Sequence, residues 1–371
     1  MKFTCLQENL REGLSTVSKA VATKGSLPVL SHVLITTEDN GRLKLSATNL
    51  ETSIITWIPA TITEAGAISV PARLISEVVS NLPATEIEAF LEKEIFYLKT
   101  AAGKSKFNGL SAEEFPSLPA VPADLSLTID PKAFAKAVSE VVFAASSDDA
   151  RPILGGILLK AEGNDLVLVG VDGFRLAERR LSLPEPITLE PVVISAKALL
   201  EVARLVGSGT SPLSISIERE GNLAAFSGEN FLIITRLLEG EFPDYLRIIP
   251  KDFKTKSTFS KEEFLKAARL SSIFARDASN IIKVQLDGSK SQITLSAITA
   301  EVGESTVAIP ATISGDDLII SFNGKYLLDL MNNTSGDNII LETTGALAPG
   351  LWRLDDRVDY LHLIMPVKVA S

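Results

Sequence analysis

Ala161-Glu162-Gly163-Asn164-Asp165-Leu166-Val167-Leu168 decides how the rest of the chain is read. Its four turn-forming residues lie between Ile157/Leu159 and Leu166/Leu168. Apolar alternation on both sides of such a turn is the pattern of a β-hairpin. The pattern occurs twice more, with Asp39-Asn40-Gly41 between Val33/Ile35 and Leu43/Leu45, and Asp287-Gly288-Ser289 between Val284/Leu286 and Ile293/Leu295. The turns centre near positions 40, 164 and 288, a constant step of 124 residues. A hairpin that recurs at a fixed step marks one supersecondary unit written several times.

Working outward, other features keep the same step. Leu27-Pro28-Val29-Leu30 precedes the first hairpin as Arg151-Pro152-Ile153-Leu154 precedes the second. Ile68-Ser69-Val70-Pro71-Ala72-Arg73, Val192-Val193-Ile194-Ser195-Ala196-Lys197 and Ile319-Ile320-Ser321-Phe322-Asn323 each lead into an apolar helix pattern, over 72–81, 197–206 and 325–332. A longer helix opens each unit, over 7–20, 131–145 and 261–276, and the units close on Phe115-Pro116, Phe242-Pro243-Asp244-Tyr245 and the stretch from Tyr360 to Pro366. Pro116, Pro119 and Pro122 stiffen the first joint, and Pro250 with the charged stretch 251–256 marks the second. The expected fold is α+β: three similar β-rich domains, each with two helices, over 1–125, 126–254 and 255–371.

Composition narrows the function classes. No run of about 18 apolar residues exists, and the N-terminal residues lack a signal-peptide pattern. The single cysteine, Cys5, has no internal partner for a disulfide. A cytoplasmic protein is expected. The net charge of −10 argues against a protein that coats nucleic acid with its whole surface. Its distribution is uneven, however: the six predicted helices hold 12 Lys+Arg against 8 Asp+Glu, and the rest of the chain is strongly acidic. On the last long helix Lys266, Arg269 and Arg276 share a face, with Glu262 one turn earlier. This is either a solvated face with salt bridges or a diffuse positive surface suited to a phosphate backbone. No recognition helix or finger spacing points to sequence-specific readout.

Catalytic chemistry finds little support. His32 and His362 read as strand residues, no His/Cys cluster has metal-ligand spacing, and Gly155-Gly156 resembles a bulge rather than a phosphate cradle. Asp148-Asp149 reads as a solvated loop before Arg151, and Asp172 has no repeated partner carboxylate. Neither an active site nor a cofactor is expected. The segment that does stand out is Val171-Asp172-Gly173-Phe174-Arg175-Leu176-Ala177, a tight turn entering a half-buried strand. The corresponding segments of the other units read Asn49-Leu50-Glu51-Thr52 and Ile298-Thr299-Ala300-Glu301. A turn present in one repeat alone suggests a task belonging to that repeat.

The chain resembles the bacterial sliding clamp, the beta subunit of DNA polymerase III, over essentially its full length. The matching pieces are Met1-Lys2-Phe3-Thr4, Leu27-Pro28-Val29-Leu30, Val70-Pro71-Ala72-Arg73, Val171 to Ala177, Phe242-Pro243-Asp244-Tyr245, Phe322-Asn323 with Tyr326, and Met365-Pro366. The resemblance implies a head-to-tail homodimer closing into a ring (the DNA clamp fold), with twelve helices lining the hole. It implies sequence-independent binding of double-stranded DNA and no enzymatic activity. Its partners would be the replicative DNA polymerase, the clamp loader and repair polymerases, held by short apolar-rich peptides in a pocket. Carried over by motif, that pocket comprises Leu154, Val171, Phe174, Arg175, Leu176, Pro243, Arg247, Ile248, Tyr326, Leu363, Met365 and Pro366, with Arg175 and Arg247 meeting polar peptide groups. Lys24 and Arg73 match DNA-facing positions, and Lys197, Lys266 and Arg269 extend them on the helices. Phe107, Ile273 and Phe274 match the apolar part of the ring interface. The alternatives are an enzyme on three repeats, which needs a convergent titratable cluster, and a monomeric peptide-binding scaffold, which a solution mass would separate from a ring.

Overall fold

The computed structural model describes all residues except 23–26, 102, 122–124, 208–210, 277–278, 300–302 and 369–371. Its helices among the described residues are α1 (Gln7–Val17), α2 (Ala72–Asn81), α3 (Pro131–Val142), α4 (Ala196–Val206), α5 (Lys261–Ala275) and α6 (Gly324–Asn333). None of them is long and apolar enough to cross a membrane. Local chemistry sets the starts of α5 and α6. The Ser260 hydroxyl accepts from the Glu263 amide, with Glu262 and Glu263 in the positive first turn, and the Asn323 side chain accepts from the Lys325 amide. α2 buries Ala72, Ile75 and Val79 at helical spacing and leaves Leu74 exposed.

All three expected hairpins form. His32–Glu38 pairs with Arg42–Thr48, Gly156–Glu162 with Asp165–Val171, and Ile281–Asp287 with Gln292–Thr299. The chain falls into two compact units, Met1–Ala135 with Lys197–Leu237, and Lys136–Ala196 with Leu238–Ser371.

The first unit holds a five-stranded sheet ending on Ile95–Thr100 and Gly103–Asn108, and an eight-stranded sheet. In the latter, Thr52–Pro59 of the first repeat pairs antiparallel with Phe231–Arg236 of the second, Thr56 opposite Phe231. The second unit holds a twelve-stranded sheet in which Arg175–Ser182 of the second repeat pairs with Arg357–Ile364 of the third, Arg179 opposite Tyr360. Strand pairing across repeats explains why each compact unit draws on two of them. It also saturates edges that would otherwise carry unpaired amides.

The core of the second unit is aromatic at its centre. Trp352 meets Phe264 and Phe322 edge-on at 5.7 and 5.5 Å, and Phe259 stacks on Phe264 at 4.9 Å. Close approach of α3 to the sheet depends on Gly170, where a Cβ would lie 2.6 Å from the Val141 carbonyl oxygen.

Candidate functional site

Asp172 and Gly173 make the turn between Asp165–Val171 and Arg175–Ser182, and the geometry states why these residue types stand there. Gly173 has φ +93°, a conformation that costs other residues steric strain. One oxygen of Asp172 accepts from the Phe174 and Arg175 amides at 2.8 and 2.9 Å, closing the turn with its own side chain. The other oxygen accepts from Arg175 Nε at 3.0 Å.

Arg175 is the hub of the site. Beyond Asp172, its guanidinium donates to Asp329 on α6 at 2.7 Å and to the Phe143 carbonyl, just after α3, at 2.6 Å. It also lies over the Tyr326 ring, 4.4 Å from the centroid. Burial, then the Asp172 carboxylate, raise the Tyr326 phenol above its ordinary range. Arg175 is only 7% exposed. The expectation that it meets peptide groups is therefore corrected: its three kinds of nitrogen are bound internally, and its part is to position the turn against α6.

The chain's C-terminal stretch completes the site. Leu176 lies opposite Leu363 in the sheet, and the Met365 amide donates to the Phe174 carbonyl at 2.8 Å, which ties the strand end to the turn. Val171, Leu176 and Leu363 pack in one cluster with Tyr245, against which Phe242 and Ile153 lie half-buried. Leu176 and Leu363 are fully buried, and Leu154 and Val171 nearly so. These four therefore belong to the core beneath the turn. The surface above them is apolar: Phe174, Ile248 and Met365 are exposed, with Pro243 exposed and Tyr326 and Pro366 half-buried. Arg247 stands in solvent, paired with Asp244 at 2.6 Å.

Sequence reading missed Asp329, Phe143 and Arg151. The Arg151 guanidinium donates to the Asp172 carbonyl at 3.4 Å and would lie 3.1 Å from a Cβ at position 173. The only sequence signal was the match of Arg151-Pro152 to the first repeat.

Below the site His362 is fully buried in Arg357–Ile364, its ring 5.4 Å from that of Phe143, and neither ring nitrogen has a hydrogen-bond partner among the described residues. Burial, then the Arg175 charge, push its pKa down to about 3, so it is neutral at physiological pH.

The remaining expected positions divide. Arg73 on α2, Lys197 on α4, and Lys266 and Arg269 on α5 are all exposed. Glu262 pairs with Lys266 at 2.5 Å and Asn332 accepts from Arg269 at 3.0 Å, so the α5 stripe is partly neutralised. Lys24 lies outside the described residues. Ile273 is 58% exposed beside half-buried Phe274 and exposed Leu270. Phe107 is corrected: it is 2% exposed and packs on Phe96 within its own sheet, so the outward side chains of that strand are Lys104, Lys106 and Asn108.

Three repeats of this strand order, each with two helices, joined edge to edge by cross-repeat pairing, define a three-domain α+β protein of the sliding-clamp fold. Family models for the N-terminal, central and C-terminal domains of the DNA polymerase III beta subunit match residues 1–119, 128–244 and 246–368. The beta sliding clamp of Bacillus subtilis (strain 168) is 33% identical, over 99% of this chain and all of that protein. The crystal structure of the Bacillus subtilis DNA polymerase sliding clamp superposes with a TM-score of 0.93 at 31% identity, covering 100% of both chains. A sliding clamp from Pseudomonas aeruginosa bound to griselimycin gives a TM-score of 0.93 at 26% identity, again covering 100% of both. The chain belongs to the bacterial beta sliding clamp family.

Proposed function

We propose that this chain is a DNA sliding clamp, a non-enzymatic processivity factor. It closes as a head-to-tail homodimer around duplex DNA and tethers the replicative polymerase through the groove beside Asp172 and Met365. The observation that carries this reading is a rule obeyed at both junctions between repeats. The last strand of one repeat pairs with the strand that comes next after the hairpin of the repeat before it: Phe231–Arg236 with Thr52–Pro59, and Arg357–Ile364 with Arg175–Ser182.

Two equivalent edges are left over among the described residues. Gly103–Asn108 of the first repeat pairs only with Ile95–Thr100, and the opening half of Gly303–Gly315 of the third pairs only with Gln292–Thr299. The same rule applied once more joins these edges between copies. Lys104 and Lys106 on one edge and Glu304 on the other carry opposite charge and are exposed. Leu270 and Ile273 on α5 and Leu74 on α2 supply exposed apolar surface for the same contact.

Exposed Arg73, Lys197, Lys266 and Arg269 support a sequence-independent contact with phosphates, weak in itself and sensitive to salt. The topological link would hold the ring on DNA. The repeats over 1–125, 126–254 and 255–371 are the domains of this reading, the clamp loader and repair polymerases are its further partners, and its place is the cytoplasm. Retention after loading on closed circular against linearised DNA tests it: the protein stays on the circle and runs off the free end. Equal retention on both would overturn the topological mechanism.

A further inference from the structure

The two junctions between repeats share one strand geometry and differ sharply in what fills them. Thr56 lies opposite Phe231 where Arg179 lies opposite Tyr360, which aligns Thr56 with Arg179. Counting back one residue from Phe231 and from Tyr360 aligns Asn230 with Asp359. Counting from the helix starts, Gln7 and Pro131, aligns Thr16 with Glu140.

At the later junction Glu140, Arg179, Arg357 and Asp359 make a largely buried ion network. Glu140 is 1% exposed and accepts from Arg179 Nε at 2.8 Å and from the two terminal nitrogens of Arg357 at 2.8 and 3.1 Å. Asp359 accepts from Arg357 Nε at 2.9 Å and pairs with Arg179. Two guanidinium groups thus occupy the space, each facing carboxylates.

At the earlier junction the positions of Glu140, Arg179 and Asp359 hold the uncharged Thr16, Thr56 and Asn230, and Gly228 lies across the turn from Phe231, its amide donating to the Phe231 carbonyl at 3.1 Å. All four line a cavity of about 340 Å³. Thr56 leaves open the space that the longer Arg179 fills, and acceptors suited to a guanidinium remain around the cavity. Thr16 is 5% exposed, and its hydroxyl has no hydrogen-bond partner among the described residues. Glu12 and Glu229 add two exposed carboxylates to the lining, neither in an ion pair among the described residues; Glu229 accepts only from the Ser211 hydroxyl, at 2.8 Å. Trp57 and Phe231 add aromatic surface, which favours cations over anions. The volume lies in the range of small-ligand sites.

We propose that this cavity binds a small organic cation carrying a guanidinium or primary ammonium group, which takes the place that Arg179 fills at the other junction. Specificity comes from the carboxylates of Glu12 and Glu229 and from the Thr16 hydroxyl. The aromatic surface admits the carbon skeleton.

The test titrates the full-length protein with argininamide and with spermidine, against sodium chloride at matched ionic strength, by calorimetry and tryptophan fluorescence. Trp57 lines the cavity, whereas the other tryptophan, Trp352, is buried at 1% exposure. Saturable binding of either cation at one site per chain, with a change in fluorescence, is the expected result. Glu12→Gln with Glu229→Gln, both exposed and outside the core, should weaken it about tenfold or more. Thr16→Glu with Thr56→Arg rebuilds the internal pair of the other junction and should abolish binding. If neither cation saturates, or if the glutamine pair leaves the affinity unchanged, the assignment is wrong.

Discussion

Arg175→Met removes one guanidinium and keeps much of the side chain's apolar length. In the native fold that guanidinium serves Asp172, Asp329 and the Phe143 carbonyl at 2.6–3.0 Å, and lies over Tyr326. Without it the Asp172 carboxylate, 9% exposed, keeps only its two amide donors. Phe143 loses its charged donor. Asp329 is more open to water, with 28% of its side chain exposed, and contributes less. Breaking a buried ion pair by removing one member costs about 3–5 kcal/mol, because the remaining charge stays desolvated. Arg175→Lys should recover only part of this, since an ammonium does not reproduce a fork reaching three acceptors at once. The assays are urea unfolding and calorimetric titration of an apolar-ended polymerase peptide. The expected outcome is a midpoint shift of that size for Arg175→Met, a smaller one for Arg175→Lys, and weakened peptide binding in both. A midpoint and an affinity equal to the parent's would refute the view that Arg175 holds the turn against α6.

Three further outcomes are expected. Phe174→Ala changes a residue 60% exposed, so the unfolding midpoint should hold while the peptide weakens by ~1–3 kcal/mol; Leu176→Ala, fully buried, should instead lose ~2–5 kcal/mol of stability. Replacing Ile273 and Phe274 together by Ala should shift sedimentation from dimer toward monomer, through a loss of roughly 3–6 kcal/mol per interface, and an unchanged dimer would mean that this surface is placed wrongly. His362 has a folded pKa of about 3, below the unfolded value, so the unfolded chain binds the extra proton first. Stability should therefore fall as pH drops from about 6.5 toward about 3, and His362→Leu should remove that part of the pH dependence.

Much of the architecture was legible because it rests on local rules. The three hairpin turns lie where Gly, Asn and Asp interrupt apolar alternation, and helix α2 spans Ala72–Asn81 as its periodicity predicts. Helix ends were less clear. α1 stops at Val17 and passes into a 3-10 turn over Ser18–Ala20, and α3 stops at Val142, where apolar residues continue but the helical hydrogen bonds do not. The Asp172 turn was readable for the same local reason: a carboxylate three residues from the amide it caps, beside a residue free to take positive φ.

The sequence by itself therefore determined the threefold repeat, the element types and the Asp172 turn, all of which follow from interactions within a few residues. Only the tertiary structure decided what faces that turn. Alternation along Arg175–Ser182 suggests that Arg175 and Arg179, which share one face, point to solvent, yet both are buried there. Residues far along the chain cover that face: Asp329 is 154 positions from Arg175, and Arg357 is 217 from Glu140. Phe107 and Leu176 show the same limit from the apolar side, since alternation marks a side chain as apolar without telling whether its own core or a partner will cover it. That choice depends on which strands become edges, and strand pairing between repeats settles it.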